Sequence, residues 1–202
     1  MYKSVLLIMA ILLPVLAVGE EQKKESADIL VVYYSDKGHT RTMAEAVAKG
    51  VGSVEGAVVH LLSVAEAKIE DVLAADAVIV GSPVYKANVA PAVQEFINSW
   101  PIKEQSFTDK LGAAFATGSG ISAGEELVQM DIIHAMLVCR MIIVGGPNSG
   151  QPFGASAVTG EVPCNEPEEK SGEGYVSEHY LKKGEDLGAR VGQLAVRLKA
   201  TK

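Results

Sequence analysis

Ile29-Leu30-Val31-Val32-Tyr33-Tyr34-Ser35-Asp36-Lys37-Gly38-His39-Thr40 decides the fold. Residues 29–34 are β-branched, aliphatic and aromatic without polar alternation, the pattern of a central parallel strand covered on both faces. The run stops at a hydroxyl-rich turn, and over 40–52 alanines and apolar residues recur at helical spacing. A strand that turns sharply into a helix brings free backbone N–H groups and the positive end of the helix dipole to one point, a setting suited to phosphate. Ser35 and Thr40 add hydroxyl donors there, and Gly38 lets the backbone approach a ligand closely. The plainer alternative is that Ser35 and Asp36 cap a turn and Thr40 starts the helix.

Outward from this stretch, the pattern alternates strand and helix with little between. Strands are predicted at 29–34, 57–62, 77–81, 111–117 and 141–145, and helices at 40–52, 64–75, 90–100 and 123–139. Five strands alternating with four helices imply an α/β fold, a parallel sheet doubly wound by right-handed crossovers with helices on both faces. Glycine, proline and glutamate dominate 145–174, which reads as a long loop. A final helix over 176–200 would place Tyr180, Leu187, Val191, Leu194 and Leu198 on one face. Sites in such sheets form where loops leave the carboxyl ends of strands, so the loops at 35–40, 82–88 and 118–124 are the candidates. Phosphate would anchor one end of a flat ligand, and the other two loops would frame a ring.

A chain of 202 residues, 48% hydrophobic, suits one domain, expected over 28–200. Residues 1–19 read separately: Lys3 gives a positive start, 4–18 is almost wholly apolar, and Ala17-Val18-Gly19 supplies small residues for a signal peptidase. This predicts a signal peptide, a linker over 20–27 and an exported, periplasmic protein. Retention of the segment would instead leave an N-terminal membrane anchor, the one membrane contact expected. The formal charge of −7 becomes −8 once Lys3 is removed, and an acidic chain without basic clusters argues against nucleic acid as a partner. No Gly-Lys-Ser/Thr phosphate loop is present, which disfavours a nucleoside-triphosphate enzyme.

Four separated segments then carry a resemblance. They are residues 34–40, Gly81-Ser82-Pro83-Val84-Tyr85, residues 112–120 from Gly112 through Thr117-Gly118-Ser119-Gly120, and Gln151-Pro152-Phe153-Gly154-Ala155-Ser156. In this order they resemble the flavodoxin-like NAD(P)H:quinone oxidoreductases of the WrbA type, within the flavodoxin and NADPH-dependent FMN reductase superfamily, over roughly 28–198. The resemblance implies a flavodoxin-like five-stranded sheet in the order 2-1-3-4-5, bound FMN, a homo-oligomer that is usually a tetramer, and reduction of a quinone-like small molecule by NAD(P)H. It assigns phosphate binding to Ser35, Lys37, Gly38, His39 and Thr40. Pro83, Val84, Tyr85 and Lys86 would form the loop against the isoalloxazine, and Thr117, Gly118, Ser119, Gly120, Ile121 and Ser122 the second flavin loop. Metal is not implied.

The chain departs from that family's pattern at four places. Tyr85 stands where an arginine is common, Ile121 interrupts a glycine run, Lys37 replaces an aromatic residue that meets nicotinamide, and Val138-Cys139-Arg140 replaces a histidine pair that approaches a neighbouring subunit's flavin. Cys139 or Arg140 could face the cofactor across an interface, or Cys139 could be a buried, inert thiol. A fourth helix running back from the carboxyl edge places Cys139 far from Cys164, so no intrachain disulfide is expected. His60, His134 and His179 share no ligand spacing, and Glu125 and Glu126 suit the dipole of the fourth helix without an acid–base role. Two further functions remain open beside the quinone reductase: a flavodoxin-like electron carrier for a protein partner, and a flavin-free exported binding protein.

Overall fold

The computed structural model describes residues 26–102, 107–159 and 172–201. Its elements in chain order are β1 (Ala27–Tyr33), α1 (His39–Gly52), β2 (Ala57–Ser63), α2 (Ile69–Ala74), β3 (Ala77–Tyr85), β4 (Asn88–Val89), α3 (Pro91–Asn98), β5 (Leu111–Gly118), α4 (Glu125–Val138), β6 (Ile142–Ile143), β7 (Ala155–Val158) and α5 (Glu178–Lys199). The sheet runs β2-β1-β3-β5-β6, with β7 parallel to β5 on the side where β6 also lies. The doubly wound sheet in the order 2-1-3-4-5 is therefore present, its fifth position shared by two short strands. β6 pairs with Leu111 and Gly112, and β7 takes over at Phe115 to Gly118.

The strands alternate their side chains between two cores, as a period of two requires. Leu30, Val32, Val78 and Val80 pack with Val93, Phe96, Val128, Ile132 and Met136 on one face, against α3 and α4. Ile29, Val31 and Ile79 pack with Met43, Val47, Leu187 and Val191 on the other, against α1 and α5. Each such fully buried aliphatic side chain contributes about 1.5–3 kcal/mol. Gly81 admits the Phe115 ring across the sheet, since a Cβ there would stand 1.9 Å from Cζ.

Several expected boundaries move, each for a local reason. β1 starts at Ala27, whose N–H reaches the Gly56 carbonyl, so the expected linker ends one residue sooner. The second helix begins at Ile69 rather than residue 64, because Ser63 donates its N–H and hydroxyl to the Glu66 carboxylate (3.0 and 2.7 Å) and holds the intervening segment in a turn. The long loop after the fifth strand contains β7, four small or β-branched residues that complete the β5 ladder. Gly154 precedes them with φ +122°, and a Cβ there would lie 1.9 Å from the Ala114 carbonyl oxygen.

The last helix turns most of its expected apolar face inward, Tyr180 and Leu194 packing against the core that holds Leu187 and Val191, and adds a stripe of glycines beside it. Leu187 and Val191 are buried, but Leu198 is 38% exposed, and the glycine stripe is Gly184, Gly188 and Gly192. A Cβ on Gly188 would approach the Val47 carbonyl to 2.0 Å, and one on Gly50 of α1 would approach the Glu185 carbonyl to 2.0 Å. α1 and α5 thus meet backbone to backbone over the second half of α1, which holds that helix against the sheet. At the opposite edge Lys199 pairs with Asp76 at 2.8 Å and anchors the end of α5. Cys139 caps α4 half-buried at that edge, and Cys164 and residues 1–25 lie outside the described residues.

Candidate functional site

Three crossovers and β7 deliver their ends to one cleft at the carboxyl edge of β1, β3 and β5, where the winding direction of the sheet switches. The cleft measures about 320 Å³ and is lined by Ser35, Asp36, Lys37, His39 and Thr40 after β1, Pro83, Val84 and Tyr85 at the end of β3, Thr117, Gly118 and Ser119 after β5, and Thr159 after β7. Ten of the lining residues are among those singled out from the sequence: Ser35, Lys37, His39, Thr40, Pro83, Val84, Tyr85, Thr117, Gly118 and Ser119. Gly38, Lys86, Gly120, Ile121 and Ser122 stand outside the lining, and the Ile121 side chain is 72% exposed. Larger hollows beside Asp28 and His60 and beside Arg190 and Arg197 lie away from this edge.

The floor of the cleft is built to receive an anion. Gly38 adopts φ +85° and starts α1 with no side-chain cap, and the ladder begins only with the Thr42 N–H bonded to the Gly38 carbonyl at 2.9 Å. The N–H groups ahead of it therefore open towards the turn. The Ser35 hydroxyl is buried there without a hydrogen-bond partner among the described residues. Thr40 and Thr117 share a hydrogen bond of 2.7 Å, which ties the first loop to the third. A capping role for Ser35 would leave its oxygen satisfied, so the orphaned hydroxyl favours a ligand over a plain turn.

His39 does not point its ring freely at the cleft. Its Nε2–H donates to the Gly172 carbonyl at 3.0 Å, and the Thr42 hydroxyl donates to the Gly174 carbonyl at 2.8 Å. Residues 172–174 thereby brace the start of α1 from outside, and a Cβ on Gly38 would crowd the Gly174 α-carbon at 3.0 Å. This brace was not legible locally, since it joins residues 133 positions apart.

The upper wall belongs to β3. Instead of ending at residue 81, the strand continues to Tyr85 and folds back as β4, with Val84 opposite Val89 and Tyr85 opposite Asn88. Lys86 and Ala87 turn the hairpin with φ +53° and +62°, a conformation that costs roughly 1–2 kcal/mol per non-glycine residue. Asn88 steadies the turn by donating to the Lys86 carbonyl at 2.7 Å. The tip abuts α4, because a Cβ on Gly124 would meet the Ala87 α-carbon at 2.8 Å. Tyr85 stands edge-on to Tyr34, centroids 6.4 Å apart, and presents a ring to the cleft. Burial, with a hydrogen bond that the Tyr85 hydroxyl donates to Tyr34, pushes the Tyr85 phenol above its ordinary value, so it stays a neutral, hydrogen-bonding ring.

Asp36 and Thr159 line the cleft as well. Thr159 follows a strand that pattern alone did not reveal; its N–H and hydroxyl both reach the Gly118 carbonyl, at 2.8 and 3.1 Å, so it shapes the third loop. His60 pairs with Asp28 at the far edge, and His134 and His179 are exposed on helices, so none of the three joins the site. Among the described residues no group of histidine, cysteine or acidic side chains could hold a metal, and no helix is long and apolar enough to cross a membrane. The chemistry on offer is a phosphate seat beside a slot for a flat ring, without a nucleophile–base pair.

The chain is similar to known proteins. The sequence profile of the NADPH-dependent FMN reductase family matches residues 27–154. A protein of Geotalea daltonii named NAD(P)H dehydrogenase (quinone) is 30% identical over 210 aligned positions, covering 84% of this chain and 97% of its own. A flavodoxin of Aquifex aeolicus is 34% identical over 122 positions, covering 58% of this chain and 64% of its own. The crystal structure of a flavodoxin, WrbA-like protein from Agrobacterium tumefaciens has the same fold, with a TM-score of 0.66 at 23% identity over 85% of this chain and 99% of that one.

Proposed function

Because the chain belongs to the NADPH-dependent FMN reductase family, we propose that it is an FMN-dependent oxidoreductase that passes electrons from NAD(P)H to a quinone-like acceptor. The observation that carries the reading is the Ser35 hydroxyl, buried and unpartnered beside the uncapped start of α1 at the switch point of the sheet. That orphan, with Thr40, Thr117 and the free N–H groups, fits the phosphate of FMN. When bound, FMN supplies the two-electron chemistry, and the protein supplies binding, orientation and electrostatics.

The residues divide that work. Ser35, Thr40 and the α1 N–H groups would hold the phosphate, and Lys37 would add positive charge at the rim. Tyr85 and Pro83 would bound the ring on one side, and the backbone of Thr117, Gly118 and Ser119 on the other, so that donor and acceptor reach it in turn from the open face. Tyr85, neutral and edge-on to Tyr34, would shield the ring edge without competing for protons. The test is to add FMN to the purified chain, follow quenching of its fluorescence, and then add NADH or NADPH with a benzoquinone. Tight binding followed by quinone-dependent oxidation of the nicotinamide is the expected result; a folded chain that binds no FMN overturns the proposal.

A second reading has its own support. Lys37 stands where the resembling family places an aromatic residue against nicotinamide, and part of the chain is similar to a flavodoxin. In that reading the bound flavin exchanges electrons with a protein partner, and FMN binding without NAD(P)H turnover is its signature. Two broader features belong to the proposal. Export through residues 1–19 rests on their charge and apolar pattern, and the mass of the protein recovered from intact cells tests it. Homo-oligomerisation is supported by the outward face of α4, where Leu127, Leu137 and Val138 are each more than half exposed, and light scattering tests it.

A further inference from the structure

Beneath Gly118, on the side away from the cleft, lies a charge that the phosphate seat and ring slot do not use. Glu125 opens α4 and is 7% exposed, and its Oε1 is fully buried with no hydrogen-bond partner among the described residues. A Cβ built on Gly118 would fall 2.2 Å from that oxygen, so the carboxylate packs directly against a residue that lines the cleft. Its neighbour Glu126, one residue on in the same first turn, is exposed. The α4 dipole favours an acid at either position, but it does not explain why this one is buried and unpaired.

We propose that Glu125 is a positioning residue for charge: it sets how strongly the cleft disfavours any bound ring that gains negative charge, and so makes the bound flavin a stronger reductant. The inference rests on the FMN reading above. An oxidised flavin ring is neutral, and its two-electron reduced form at neutral pH carries an anion. A buried carboxylate behind the loop that frames the ring interacts with that added charge through protein rather than water. At an effective dielectric constant of about 20 and a separation of about 10 Å, one unit charge changes an equilibrium constant for another by roughly tenfold. The phosphate charge is common to both redox states and cancels in their ratio, whereas the ring charge is gained only on reduction, so Glu125 would lower the ratio of reduced to oxidised affinity by about tenfold.

The experiment compares Glu125→Gln with Glu126→Gln, which removes the same formal charge from the exposed neighbouring position. FMN affinity is measured in the oxidised state and, anaerobically, after reduction, and the midpoint potential of bound FMN is read by spectroelectrochemistry. The expected result for Glu125→Gln is a roughly tenfold gain in the ratio of reduced to oxidised affinity, equivalent to about 30 mV more positive for a two-electron couple, with less than a twofold change for Glu126→Gln. Equal shifts in the two variants, or a Glu125→Gln variant that weakens both forms alike, overturn the inference and leave the cofactor reading intact. A wild-type chain that binds no FMN overturns both. Should Glu125→Gln fail to fold, Glu125→Met removes the charge without leaving a polar atom to satisfy, and the same ratio is read on it.

Discussion

Replacing Ser35 by alanine separates a ligand site from a structural turn, because the two roles predict opposite effects on stability and affinity. The Ser35 hydroxyl is buried with no partner among the described residues, so in the ligand-free protein it carries the penalty of a desolvated polar group and no compensating bond. Alanine removes that penalty with little change in volume. The ligand-free Ser35→Ala variant should be as stable as wild type or up to about 1 kcal/mol more stable, a rise of roughly 2–4 °C in Tm for a domain of this size. A hydrogen bond to a charged group contributes about 1.5–3 kcal/mol, so the variant should bind FMN roughly 10- to 150-fold more weakly. Differential scanning calorimetry of the ligand-free protein and fluorescence titration with FMN measure the two quantities on one sample. A variant that loses more than about 1 kcal/mol of stability and binds FMN as wild type does would refute the reasoning, since Ser35 would then be a turn cap.

Three further outcomes follow from other parts of the molecule. Gly188→Ala should destabilise the fold by about 1–3 kcal/mol despite the higher helix propensity of alanine, because its Cβ would meet the Val47 carbonyl at 2.0 Å; chemical denaturation reads this directly. Burial works against the Asp76 charge, but hydrogen bonds from Lys199 and the Asp28 N–H, with the charges of Lys199 and Lys110, outweigh it and hold the carboxyl below its ordinary value. Its contribution is then fully present above the ordinary carboxylate pKa of 3.8 and is lost as pH falls through the lower folded value, so stability below about pH 4 should fall less steeply in Asp76→Asn than in wild type. Burial also raises the Cys139 thiol, only partly opposed by Arg140. In a Cys164→Ser background, alkylation at pH 7 should therefore be slower than that of a free thiol and should accelerate only above about pH 9.

What could be read from the sequence was what local chemistry dictates. The first strand and its turn into α1 depend on neighbours a few residues apart, and Ser35 and Thr40 line the cleft, the two hydroxyls that the turn pattern singled out. What escaped depends on distant partners. The β3 extension was hidden because its hairpin turns on Lys86 and Ala87, neither of them the glycine or asparagine that usually marks positive φ. β7 was hidden because Ala155, Ser156 and Ala157 carry too little apolar bulk to stand out in a glycine-rich stretch. The inner face of α5 was read only in part: Tyr180, Leu187, Val191 and Leu194 pack in or against the core as their spacing suggested, but periodicity weighs large side chains and passes over Gly184, Gly188 and Gly192, the first two of which contact α1 through the absence of any.

Several of the places where this chain breaks local rules gather around the cleft, while others, Asp109 and Arg140 with positive φ and the buried polar atoms of Trp100 and Gln151, stand outside its lining. Two helices, α1 and α4, start from left-handed glycines without side-chain caps; Lys86 and Ala87 hold a strained turn; Ser35 and Glu125 keep buried oxygens unsatisfied. Ser35 lines the cleft, and the others lie close behind it: Gly124 packs against Val84, Ala87 on Gly124, and Glu125 on Gly118. A fold optimised for stability alone would cap both helices, put glycine or asparagine in the turn and replace Glu125 by an apolar residue. The backbone contact between α1 and α5 and the two sheet cores supply the surplus that lets these defects persist together. For the defects that touch the cleft, binding rather than packing supplies the reason to keep them, and a joint demand follows: substitutions that heal them, Ser35→Ala and Glu125→Met, should each leave the ligand-free protein no less stable while changing what the cleft binds or how the bound flavin holds its electrons.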